Sequence, residues 1–247
     1  MARGARQRTV GLTRPRLPLR AQVLSWNPRA VFFPGFLDEK RCKRVVELAN
    51  ARLAPSSLAL RAGDTAQNTA DIRTSQGTFL TRADDKEGVL DYLEKRIADV
   101  TMLPQRHGEP FNVLRYEVGQ KYDSHYDTFD PESYGPQSRR AQWLQRVALL
   151  RACMQPALFV ADCESLVGAC SQRVISFLVY LSEWEEGGET VFPLEGTGGL
   201  ARLRNIDYRS CDLGLKVKPM RVGDALLFYS MHPNATFDKA RRARPAM

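Results

Sequence analysis

His125 and Asp127 stand two residues apart in the run Gln120-Lys121-Tyr122-Asp123-Ser124-His125-Tyr126-Asp127. In a β-strand, residues i and i+2 project to one face. The pair therefore offers an imidazole nitrogen and a carboxylate oxygen to a common point. A distant second histidine would complete two imidazoles and one carboxylate on one face of an ion, a set that suits ferrous iron and leaves positions open for reactants. A bare His-x-Asp also arises by chance, and its ordinary alternative is a surface turn. What accompanies it in the chain decides between the two.

At 247 residues the chain suits one large domain, or one domain with tails. Hydrophobic residues at 43% and charged residues at 26% are ordinary for a soluble globular protein. No run of 18 or more apolar residues is present, so no membrane span is expected. The net charge of +8 is unevenly placed. Residues 1–20 hold Arg3, Arg6, Arg8, Arg14, Arg16 and Arg20 and no acid, and residues 239–247 hold Lys239, Arg241, Arg242 and Arg244 and no acid. Setting aside these six and four charges leaves the middle at −2. A nucleic-acid-binding domain would carry its basic residues on a folded face, so no nucleic-acid partner is expected. The N-terminal stretch reads as a basic disordered tail or a misplaced start, with only a loose likeness to a transit peptide. It has no apolar segment of the secretory kind. Cys42, Cys153, Cys163, Cys170 and Cys211 show no metal-binding spacing, and their odd number leaves one unpaired within the chain.

The elements that must position the pair are legible in outline. Residues 21–37 read as a strand leading into a turn. Asp38 caps a helix of about 15 residues with Val45, Val46 and Leu48 on its buried side. Residues 54–72 read as a loop and 73–80 as a short strand. Asp84 or Asp85 caps a second helix, along which Val89, Leu93, Ile97 and Val100 recur at helical spacing. The signals then turn to β: 112–118, the apolar run 174–181, 215–219 and 225–229. Helices followed by short strands predict an α+β, mainly β architecture, a sandwich or jelly roll braced by N-terminal helices. Residues 141–170 break the rhythm, with three of the five cysteines and a loose helical pattern (Trp143, Val147, Leu150, Met154).

The ordered segments resemble the prolyl 4-hydroxylases of plants and green algae. The resemblance is carried by Trp26-Asn27-Pro28-Arg29, Arg73-Thr74-Ser75, Gly77-Thr78-Phe79-Leu80, and the run from Val113 to Tyr122 with His125 and Asp127. It continues through Gln172-Arg173-Val174, Gly187-Gly188-Glu189-Thr190-Val191-Phe192-Pro193, Lys216-Val217-Lys218-Pro219 and Gly223-Asp224-Ala225-Leu226-Leu227-Phe228. It covers residues 22–140 and 171–238, and so implies a domain over 21–238 with an atypical insertion at 141–170 and a divergent basic tail at 239–247.

The resemblance implies a double-stranded β-helix, with Fe(II), the co-substrate 2-oxoglutarate, ascorbate and O2 serving hydroxylation of peptidyl proline at C4. The implied partner is a proline-rich peptide in the extended polyproline form. Position by position, it makes His125 and Asp127 metal ligands, puts Tyr116 and Thr190 near 2-oxoglutarate, and puts Glu109 and Arg173 at the peptide site, with Tyr126 and Trp184 as groove walls. Outside the resemblance, Tyr116 reads as a core tyrosine, Glu109 and Arg173 as a surface ion pair, Thr190 as a strand former and Trp184 as buried packing.

Two residues of the family pattern are not matched. The second ligating histidine falls at Ala243, and the lysine that grips the far carboxylate of 2-oxoglutarate falls beyond Met247. His107 and His232 are the remaining histidines, and neither matches a ligand position. The last core strand is expected to be missing. Insertion and tail together suggest an alternatively spliced or misread transcript. The resemblance implies the endoplasmic reticulum or secretory pathway, though no anchor is visible. A catalytically inactive binder of proline-rich peptides is the alternative reading.

Overall fold

The structure is a computed structural model, and it describes residues 19–58, 60, 63–128, 149–151, 173–183, 187–196, 214–232 and 244–245. The chain opens with a hairpin, not one strand. β1 (Gln22–Trp26) pairs antiparallel with β2 (Arg29–Phe33), because Asn27-Pro28, whose peptide bond is cis, is itself the turn. Helix α1 (Glu39–Asn50) follows, and the Asp38 side chain accepts the Arg41 amide hydrogen bond at 3.0 Å, as its sequence predicts. Its inward stripe is Cys42, Val45 and Ala49, while Val46 and Leu48 are half-buried.

The second helix, α2 (Val89–Thr101), buries Val89, Leu90, Leu93 and Ile97. Its cap differs from expectation. Gly88, in the left-handed region at φ +77°, is the N-cap. Asp84 instead ends a 3-10 turn (Arg82–Asp84) that Thr81 caps. Asp85 still serves the helix from outside: its carboxylate accepts from the amides of Leu90 at 2.9 Å and Glu87 at 3.0 Å, satisfying a donor of the first turn.

Three sheets follow. β3 (Ala54–Pro55), β4 (Gln76–Leu80) and β5 (Phe111–Arg115) form one, in the order β3-β4-β5. The next strands are β6 (Leu149–Arg151), β7 (Arg173–Val179), β8 (Thr190–Phe192), β9 (Leu215–Val217), β10 (Ala225–Tyr229) and β11 (Arg244–Pro245). They give a five-stranded sheet, β1-β2-β10-β7-β6, and a three-stranded sheet, β11-β8-β9. Every ladder is antiparallel. This is a mixed architecture of mostly strands with two helices.

The five-stranded sheet is covered on both faces, which explains the nearly unbroken apolar run of β7. Ile175 and Phe177 pack with Phe33, Phe36, Leu90, Leu93 and Ile97 on the helical side. Leu178 and Tyr180 pack with Phe32, Phe192, Leu226 and Phe228 on the other. Two expectations change at the edges. The backbone of β6, from the atypical stretch, pairs with β7; the rest of 141–170 lies outside the described residues. The last core strand was expected to be missing, yet the tail lays a two-residue strand against β8, Arg244 opposite Val191 and Pro245 opposite Thr190.

Candidate active site

The backbone of residues 121–123 is pinned to residues 72–74. Thr74 N–H donates to the Lys121 carbonyl at 3.0 Å, Asp123 N–H donates to the Ile72 carbonyl at 2.8 Å, and Arg73 and Tyr122 form an isolated bridge. His125 and Asp127 lie just beyond, outside any regular strand. The expected strand face is therefore absent, but the expected convergence is not. His125 Nε2 stands 3.1 Å from Asp127 Oδ1.

The hydrogen bonds around the pair fix what each atom can do. His125 Nδ1 lies 2.9 Å from the Asp123 carbonyl oxygen. That oxygen can only accept, so Nδ1 carries a proton and donates, which leaves Nε2 as the nitrogen that faces Asp127. Tyr122 stacks on the imidazole at 3.8 Å and 21°. Asp127 is 8% exposed, and its Oδ2 accepts from the Ser176 hydroxyl, leaving Oδ1 to face His125. Burial alone would raise the Asp127 carboxyl. His125, Arg173 and Ser176 outweigh it by hydrogen bonds and charge and hold it at about 2.

An imidazole lone pair and a carboxylate oxygen at this separation repel unless a proton or a cation lies between them. Two neighbouring ligands each about 2.1 Å from a first-row ion stand about 3 Å apart, so the pair fits as two ligands of one ion. Among the described residues no group of three or more histidine, cysteine, aspartate or glutamate side chains joins them.

Arg173 opens β7 and meets Glu109 through two contacts, Nε to Oε1 and Nη2 to Oε2, both 3.3 Å. Their side chains are 3% and 11% exposed, so this is a buried fork and not the surface ion pair that composition suggests. Its charge also acts on Asp127, which joins the fork to the His125–Asp127 pair. Thr190, on β8, shares a 2.9 Å hydrogen bond with the Tyr180 hydroxyl. Tyr180 follows β7 on the same side as Ser176 by strand alternation, and burial pushes its phenol pKa well up. Tyr116 lies near Arg73 and Ser75, with its pKa raised by burial against the pull of both. Tyr126 is half-buried; Trp184 lies outside the described residues.

Ser176, Tyr122, Arg73 and Tyr180 join the constellation without having been singled out by chemistry in the sequence. Ser176 did leave a signal, as the one hydroxyl inside the apolar run 174–179. His107 sits in a 3-10 turn (Gln105–His107), and its pKa is lowered by burial and by Arg106.

The Arabidopsis thaliana protein named Probable prolyl 4-hydroxylase 9 is 48% identical over 218 residues, 88% of this chain and 63% of the relative. Prolyl 4-hydroxylase 13 of the same plant is 42% identical over 87% of this chain and 65% of the relative. Probable prolyl 4-hydroxylase 3 is 37% identical over 96% of this chain and 70% of the relative. No protein-family model matches the chain. A viral collagen prolyl hydroxylase from Paramecium Bursaria Chlorella virus-1, solved as a 2OG complex, shares the fold with TM-score 0.50 at 21% identity, covering 88% of each chain. The chain belongs to the prolyl 4-hydroxylase family. It spans 63% and 65% of the length of the first two relatives.

Proposed function

We propose that this chain is an Fe(II)- and 2-oxoglutarate-dependent dioxygenase that hydroxylates peptidyl proline at C4, built on a double-stranded β-helix. The observation that carries the reading is the donor pair: His125 Nε2 and Asp127 Oδ1 at 3.1 Å, each held by a second partner. When bound, ferrous iron would supply O2 activation coupled to oxidation of 2-oxoglutarate to succinate and CO2.

The protein's own part is to hold and orient. The Asp123 carbonyl fixes the tautomer of His125, and Ser176 fixes the rotamer of Asp127. Thr190 and Tyr116 bind 2-oxoglutarate through their hydroxyls. The Arg173–Glu109 fork, buried and rigid, shapes the peptide site beside Asp127. The substrate is a proline-rich peptide, whose extended form is ordered before binding and loses little entropy. Ascorbate keeps the metal reduced. The place of action is the endoplasmic reticulum or secretory pathway; microscopy of the tagged chain against a marker of that compartment checks this, and a diffuse signal would contradict it.

A second reading, an inactive binder of proline-rich peptides, has one observation in its favour. The strand beside Thr190 is Arg244–Pro245, and Ala243 stands where the family pattern calls for an imidazole. One assay separates the two. The chain is incubated with Fe(II), ascorbate, 2-oxoglutarate and a polyproline peptide, and succinate and 4-hydroxyproline are measured. Both products in equal amount are expected for the dioxygenase. Peptide binding without either product identifies the binder.

A further inference from the structure

Three side chains line up across the end of the five-stranded sheet at which β7 begins. Trp26 of β1 is the register partner of Arg29 of β2. The β2–β10 ladder pairs Ala30 with Phe228, and the next residues along, Arg29 and Tyr229, stack: the guanidinium lies 3.3 Å from the centre of the Tyr229 ring. Tyr229 is in turn the partner of Ile175 on β7, close to Arg173 at the start of that strand. Opposed residues on neighbouring antiparallel strands project to one face about 5 Å apart, so Trp26, Arg29 and Tyr229 form one row. The row is open. Trp26 is 76% exposed, and Arg29 and Tyr229 are half-buried. Among the described residues no carboxylate pairs with Arg29.

Each member of the row offers a flat surface and a hydrogen-bond donor: an indole N–H, a guanidinium N–H and a phenol O–H. A run of prolines is the converse, with ring faces, backbone carbonyls that accept and no backbone N–H to donate. A partner strand would need an even ladder along β1, which the irregularity between Val23 and Ser25 interrupts. The span also fits. In the order β1-β2-β10-β7, three strand-to-strand steps separate β1 from β7. At about 4.8 Å each they make about 14 Å. Polyproline advances about 3.1 Å per residue, so about five residues cover it.

We propose that Trp26, Arg29 and Tyr229 form a docking row for the part of a proline-rich chain that extends beyond the Arg173–Glu109 fork. The inference rests on the reading of that fork as a peptide site. The row adds affinity for long substrates over short ones, at a distance from the His125–Asp127 pair.

The test uses the whole chain and needs no turnover. Fluorescence anisotropy is recorded with labelled proline oligomers of about four and about ten residues. The proteins are the parent, Trp26→Ala, Trp26→Tyr and Arg29→Gln. The long peptide is expected to bind the parent about tenfold more tightly than the short one. Trp26→Ala and Arg29→Gln should remove that advantage and leave the affinity for the short peptide as it was. Trp26→Tyr, which keeps a ring and a donor, should retain most of it. The proposal is overturned if length brings the parent no gain, or if the gain survives in Trp26→Ala. It is also overturned if the parent sediments as a dimer that Trp26→Ala dissociates, which would give this face to a second copy. Length-independent binding with hydroxyproline formed removes this inference alone. A length gain lost in Trp26→Ala, with no hydroxyproline formed, removes the dioxygenase reading alone. Binding of neither peptide removes the peptide site and the row together.

Discussion

At the scale of single residues, the candidate site depends on which lone pairs remain unused. The His125 proton is committed to the Asp123 carbonyl and one Asp127 oxygen is committed to Ser176. What remains is one nitrogen and one oxygen aimed at each other. Ser176→Ala should therefore lower metal affinity by about tenfold while leaving the fold intact, since the loss falls on orientation and not on a ligand. Equilibrium dialysis with Co(II) beside a circular dichroism spectrum checks this, and unchanged affinity would show that Asp127 needs no such support. The sequence made His125 and Asp127 legible because they are neighbours. It could not reveal Ser176 as the partner of Asp127, or that Glu109 and Arg173 pair in the interior, because 49 and 64 residues separate those partners. Cys42 is a buried free thiol, which its sequence position does not reveal. Burial first, then the charges of Asp38 and Glu39, push it from 9.0 to about 12. Its folded value lies above its unfolded one, so its contribution to stability is whole below about pH 9 and falls as pH climbs towards 12. Native alkylation by iodoacetamide at pH 8, read on the peptide that bears Cys42, should be negligible until denaturant is added; rapid native labelling would contradict this.

At the scale of elements, the turn before β10 is built on a position that only glycine fits. Gly223 has φ +86°, and a Cβ built there would run into the Leu37 carbonyl oxygen. Its amide donates to the Tyr180 carbonyl at 2.7 Å and its carbonyl accepts from Leu37 N–H at 2.9 Å, so this one residue joins the approach to α1 with the end of β7. Next to it, Asp224 is fully buried and accepts from the amides of Gly35 at 2.7 Å, Met220 at 2.9 Å and Arg221 at 3.1 Å. Gly223→Ala and Asp224→Asn should each cost about 2–4 kcal/mol, the first through backbone strain and collision, the second by setting an amide donor against the donors that now serve one of the two oxygens. Urea unfolding measures both, and a midpoint equal to the parent's would refute the account of this turn. Element type was largely readable from periodicity and turn residues. Helix α1 begins where Asp38 says it should, β9 and β10 lie within their expected strands, and β7 begins one residue before its apolar run. The second cap was misplaced because Asp84 and Asp85 both look like caps in sequence. Only the left-handed Gly88 and the reach of Asp85 to Leu90 N–H show how the labour is divided.

For the molecule as a whole, one sheet with apolar packing on both faces brings residues from distant stretches into one constellation. β7 does most of this: Arg173 at its start holds Glu109, Ser176 holds Asp127, and Tyr180 just past its end holds Thr190. The family pattern therefore reads well from sequence where motifs are contiguous. It reads poorly at the edges, where pairing partners are chosen by sheet geometry: β6 arises from the atypical insertion, and β11 from the divergent tail. The central claim, that His125 and Asp127 together hold a ferrous ion, is tested most directly by anaerobic titration of the full chain with Fe(II) in the presence of 2-oxoglutarate, beside His125→Ala and Asp127→Ala. The expected result is one ion per chain, with affinity lowered at least about tenfold in each variant. Equal binding by the parent and both variants would contradict it.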